Sequence, residues 1–89
     1  MDDIDAELAA LRPDYLAARR RDLITLRQLL AQQDWNEIQR IGHRMKGTGA
    51  TYGFAEVSRL GDAIEIAAQS FDAGAMHTLL DRLDAVLTN

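Results

Sequence analysis

The sequence predicts an all-α domain, an antiparallel up-down-up-down four-helix bundle with a short N-terminal helix covering one end. Two observations carry that expectation. The apolar residues, 47% of the chain, are mostly Ala, Leu and Ile, with only six Gly and one Pro, a helical rather than a β composition. They also recur at helical spacing in segments separated by joints of a few residues, which makes neighbours antiparallel. With 89 residues and no cysteine, the chain is expected to form one domain, 1–89, held by packing alone rather than by disulfides.

Five segments can be justified in order. Asp2 or Asp3 caps a first short helix through about Ala10, which carries Ile4, Leu8 and Leu11 along one side. Arg12-Pro13 ends it, because the residue before a proline avoids the α region. Pro13 then suits the first position of a second helix, reaching about Gln33 with Leu16, Leu23, Leu26 and Leu30 on one stripe. Arg19 falls near that stripe and is read as a snorkelling or paired arginine. Arg19-Arg20-Arg21 is read as a solvated face. Asp34 with Glu37 opens a third helix in capping-box fashion. That helix is expected to place Ile38, Ile41, Met45 and Tyr52 inward and to stop at Gly53. The fourth helix, about Ala55 to Gln69, presents Val57, Leu60, Ile64, Ala67 and Ala68, with Ile66 on its polar side. Asp72 caps the fifth, which presents Met76, Leu79, Leu80, Leu83, Val86 and Leu87.

Charge narrows the function classes. Ten basic against fourteen acidic residues give a net charge of −4, opposite to the basic excess of a nucleic-acid reader. The acidic N-terminus has neither the basic nor the apolar region of a signal peptide. No apolar stretch approaches the length of a membrane span. The expectation is a cytoplasmic monomer with no nucleic-acid or membrane partner.

The third helix departs from good helix design. Gly42, Gly47 and Gly49 lie within eight residues, each costing about 0.5–1 kcal/mol against alanine. On a helical wheel Gly42 and Gly49 share the buried side with Ile38, Ile41 and Met45, where they let a neighbouring helix come close. Gly47 falls on the opposite face with His43, Gln39, Lys46 and Ala50, where core packing gives no reason for it. A histidine bordered by small residues and a cation is thus presented on a cleared surface. An unperturbed imidazole titrates near pH ~6.5, leaving much of it a neutral nucleophile at neutral pH. Lys46, three residues on, suits the oxygens of an arriving phosphoryl group. Gln39 or Glu65 is a candidate to hold Nδ1–H and leave Nε2 free. Thr48 is expected to bond back to a carbonyl one turn earlier. The sequence has no P-loop and no carboxylate cluster for Mg²⁺. His77 has no comparable context and is read as a solvated partner of Asp81 and Asp84.

Residues 38–54, IQRIGHRMKGTGATYGF, resemble the signature of histidine-containing phosphotransfer (HPt) domains, roughly H-x-x-K-G-[ST]-[AGS]-x-x-x-G. His43, Lys46, Gly47, Thr48, Gly49 and Gly53 match it. The likeness extends along the chain to Asp34-Trp35 and Leu60…Ile64-Glu65. It implies a phosphocarrier of multistep phosphorelays rather than an enzyme in its own right. His43 would be the phosphoacceptor, Lys46 the phosphate-facing cation and Gly47 the clearance for docking. The implied partners are response-regulator receiver domains, including that of a hybrid sensor histidine kinase. No cofactor of its own is implied, Mg²⁺ coming with the receiver. Two other classes compete with it: a bundle that binds receivers without accepting phosphate, against which the intact histidine argues, and a metal-binding bundle, for which two histidines without paired Glu-x-x-His ligands are a poor set.

Overall fold

In the computed structural model, residues 3–88 are described, with side chains from Asp5. Four helices follow one another: α1 (Asp3–Gln32), α2 (Trp35–Thr48), α3 (Ala55–Gln69) and α4 (Ala73–Thr88), and no strand occurs among the described residues. The helices form a square ring. α1 packs on α2 and α4, α3 packs on α2 and α4, and the backbones of the diagonal pairs stand farther apart across the core. Cross-links at both ends fix the antiparallel order: Tyr15 bonds Thr48, Arg20 bonds the Leu87 carbonyl, and Arg27 bonds Asp81.

All four helices supply the core. Leu26, Ile38, Met45, Val57, Ile64, Met76, Leu80 and Leu83 are fully enclosed, each such side chain contributing roughly 1.5–3 kcal/mol by leaving water. Tyr15 closes the core at one end, stacked on Tyr52 with ring centroids 4.5 Å apart and lying under the Arg19 guanidinium.

The opposite end has two short connections of the same design. Gln33 (φ 58°) and Phe71 (φ 54°) adopt the left-handed conformation after α1 and α3. The next residue's amide reaches back to Leu29 and Ala67 respectively, satisfying carbonyls that the helix ends leave open. That next residue is Asp34 or Asp72, and its carboxylate then accepts from Glu37 N–H or Ala75 N–H to begin the following helix. Both caps agree with the sequence reading, although Glu37 turns to Arg40 rather than back to the cap.

Two boundaries correct it. The expected short first helix is not separate, and α1 runs through Pro13 for 30 residues. At 1.5 Å per residue that is about 45 Å, against a longest molecular extent of 44 Å, while the other helices are 14 to 16 residues long. The first turns therefore project past the bundle instead of folding over its end. Proline deprives only the Ala9 carbonyl of a partner, and Ala9 is exposed, so water can serve it. The side chain of Arg12 donates to the Tyr52 carbonyl at 2.8 Å and ties this stretch to the α2–α3 connection. Leu8 is half-buried and Leu11 is 47% exposed; Asp2 and the side chains of Asp3 and Ile4 lie outside the described residues.

The second correction concerns α2, which ends at Thr48 rather than running to Gly53. Residues 49–53 form successive turns, in which the Ser58 hydroxyl accepts from Ala50 N–H and the Gly49 carbonyl accepts from Phe54 N–H. Gly53 is left-handed (φ 88°) as expected, but it closes this turn and not the helix. Tyr52 thus reaches the core edge from a turn. In the arginine run Arg20 and Arg21 are exposed, as a solvated face would be, while Arg19 pairs with Asp22 at 2.8 Å with both side chains largely buried. Arg20 also donates to the Leu87 carbonyl of α4.

Candidate functional site

The site begins with the contact between α2 and α3, where glycine meets glycine. A Cβ on Gly42 would sit 2.9 Å from both the Glu65 nitrogen and the Gly61 carbonyl oxygen. One on Gly61 would sit 2.5 Å from the Lys46 nitrogen and 2.7 Å from the Gly42 carbonyl oxygen. Gly49 has the same relation to Ser58, at 2.5 Å from its nitrogen. The neighbouring atoms are backbone, which cannot swing aside, so the two helices touch main chain to main chain only because these residues lack side chains. Gly42 and Gly49 play the packing part expected of them. Gly61 was not foreseen, though a glycine in the middle of an apolar helical repeat signals close approach.

That proximity sets side chains on the outside of the seam opposite one another. His43 and Lys46 leave α2 one turn apart, and Glu65 and Asp62 leave α3 one turn apart in the reverse direction. His43 Nδ1 lies 3.0 Å from Glu65 Oε2, with the imidazole 71% exposed and the carboxylate 15% exposed. An ionised carboxylate can only accept, so this contact calls for the tautomer with hydrogen on Nδ1 and a bare lone pair on Nε2. Lys46 Nζ lies 3.2 Å from Asp62 Oδ1. Gln39, the other candidate for Nδ1, makes no hydrogen bond to the ring; it lines a shallow hollow of about 410 Å³ with Asn36, Arg40, His43 and Glu65.

The remaining charges of this face are also paired. Arg40 bonds Glu37 at 2.7 Å, and the hydrogen bond and the charge of Glu37 raise the guanidinium's pKa above its ordinary value. Arg44 faces Asp22 at 3.9 Å. Thr48 bonds the Arg44 carbonyl as expected, and also meets the Tyr15 hydroxyl at 2.8 Å.

Gly47 stands apart from the other glycines of α2. It is exposed, and a Cβ there would meet nothing within 4 Å. No contact among the described residues requires glycine at that position.

His77 stays outside this assembly. It is exposed on α4 and lines a separate cleft of about 340 Å³ with Arg27, Leu30, Ala31, Gln33, Trp35 and Ala73. The expected ion pair with Asp81 or Asp84 is not formed among the described residues; Asp81 pairs instead with Arg27 at 3.1 Å.

No group of three or more His, Cys, Asp or Glu placed to hold a metal occurs among the described residues. Nor, among them, is any helix long and apolar enough to cross a membrane.

The sequence matches the family model of the Hpt domain over residues 4–89. The chain therefore belongs to the Hpt-domain family, whose members are in general phosphocarriers of phosphorelays that interact with receiver domains. No curated protein and no solved structure matches it significantly.

Proposed function

We propose that this Hpt-domain protein accepts a phosphoryl group on Nε2 of His43 from the aspartyl phosphate of one receiver domain and passes it to the aspartate of another. The observation that carries the reading is the His43–Glu65 contact. The Nδ1 side of an otherwise exposed ring is held at 3.0 Å by a carboxylate from the next helix, so Nε2 faces solvent as the nucleophile.

The transfer balances simply. The Nε2 lone pair attacks phosphorus in line, the bond from phosphorus to the receiver's aspartyl oxygen breaks, and the carboxylate leaves with the electron pair. The ring keeps its Nδ1 proton, and Glu65 stands beside the positive charge that develops on it. Onward transfer is the same step reversed. Lys46 supplies a cation beside the incoming oxygens, and Gly47 leaves room for the docking receiver. The receiver brings Mg²⁺ and most of the catalytic groups, so this chain contributes chiefly proximity and orientation. Gln39, on the rim of the hollow beside His43, is a secondary polar contact. The apolar side of the projecting α1, with Leu8 and Leu11, extends the docking face.

Incubation with a panel of phosphorylated receivers tests the reading. Wild-type protein and His77→Gln should take up label that is acid-labile and base-stable, whereas His43→Gln should take up none. Failure of folded wild-type protein to accept label from any receiver in the panel would leave a bundle that binds without carrying.

A further inference from the structure

Resting on the carrier reading, we propose that Asp62 is a positioning residue for Lys46, one that holds its ammonium on the α3 flank in the empty protein and yields it when His43 is loaded. Lys46 was expected to face phosphate. In the structure its ammonium lies 3.2 Å from Asp62 Oδ1, with the two side chains 50% and 45% exposed. The pair crosses the same seam as His43–Glu65 and is held by the same glycine contact, since Gly61, the neighbour of Asp62, abuts the Lys46 backbone. The close approach of the main chains therefore sets the roots of the two side chains opposite each other.

The energetics favour an exchange of partners. An exposed ion pair is weak. A phosphoryl group on Nε2 is a dianion with three acceptor oxygens, placed one helical turn from the base of Lys46. It competes for the ammonium with a carboxylate of lower charge. The other cations of the face have partners of their own, Arg40 in Glu37 at 2.7 Å and Arg44, more loosely, in Asp22 at 3.9 Å; Lys46 is the cation one helical turn beyond His43. Asp62 thus opposes retention of phosphate indirectly, by lowering the net gain from each Lys46–phosphate contact. A carrier must release what it accepts, and this competition biases the site toward release.

The test uses the whole chain loaded with phosphoramidate, whose P–N bond breaks as the Nε2–P bond forms and whose nitrogen leaves as ammonia. After the donor is removed, the partition of phosphate against a receiver is taken from forward and reverse transfer. Asp62→Asn should shift that partition toward phosphohistidine by about two- to five-fold, the size of an exposed ion pair. Asp62→Glu should stay near wild type. In a Lys46→Ala background, Asp62→Asn should change nothing. The Lys46 ammonium signal in NMR should also move when wild-type protein is phosphorylated. The proposal is overturned if Asp62→Asn has no effect, if it has the same effect without Lys46, which would mean direct repulsion of phosphate, or if the Lys46 signal does not move. If His43 of wild-type protein takes no phosphate at all, the carrier reading itself fails and this inference falls with it.

Discussion

The two histidines of this chain are both exposed on helices, yet they sit in unlike settings. His43 is anchored at Nδ1 by a carboxylate from a second helix. His77 borders an apolar cleft, and the nearest acidic residue on its own helix is engaged by Arg27. Exposure is common to both, so it does not distinguish them. The difference lies two layers below the surface, in the glycines that bring α2 against α3. α1 and α4 are bridged instead by long side chains, such as Arg27 to Asp81, and among the described residues no such bridge fixes the imidazole of His77. The anchoring of the His43 imidazole is a product of backbone approach more than of local sequence.

The sharpest way to break this contrast is to separate the helices. Gly61→Ala places a Cβ within 2.5 Å of the Lys46 nitrogen. The resulting overpacking should cost about 2–3 kcal/mol, read as a fall in the urea midpoint. His43 should at the same time lose its contact with Glu65, seen as the loss of a protected Nδ1–H signal in NMR. An unchanged midpoint would show that the seam can widen freely.

A gentler cut removes only the anchor. Glu65→Ala leaves the seam intact but frees Nδ1. Loss of one hydrogen bond to a charged group should slow transfer by roughly ten-fold, while Glu65→Gln, which can still accept from Nδ1–H, should recover much of the rate. Equal rates for all three proteins would reduce Glu65 to a bystander.

The smallest effect is expected at Gly47, where a Cβ meets open space. Gly47→Ala should raise stability by about 0.4–1 kcal/mol. Gly47→Gln should fold normally yet slow transfer to and from receivers. Unfolding of Gly47→Gln would contradict its place on the open face.

Much of this was legible in the sequence because it depends on local rules. Asp34 and Asp72 cap where their spacing says they should, and the helical wheel separates Gly42 and Gly49 from Gly47 correctly. What escaped depends on tertiary contact. Pro13 was read as a stop because proline usually breaks helices, but an exposed helix can leave one carbonyl to water. Gln33 and Phe71 close their helices in a conformation that glycine would signal and they do not. The choice between Gln39 and Glu65 was open because one is a neighbour along the helix and the other only across the seam. Asp62 was missed although a clue was present: Asp62 and Glu65 repeat the three-residue spacing of His43 and Lys46, as antiparallel partners must.

The glycine seam also bears on the order in which the molecule assembles and comes apart. His43 and Glu65 are 22 residues apart in the chain, whereas the Arg20–Leu87 contact joins residues 67 apart. Closing the shorter loop costs about 1 kcal/mol less chain entropy, so the α2–α3 hairpin is the low-contact-order part of the fold. Openings that release α1 from α4 must break the long-range closure first. The imidazole and its carboxylate thus belong to the hairpin whose closure asks least of the chain.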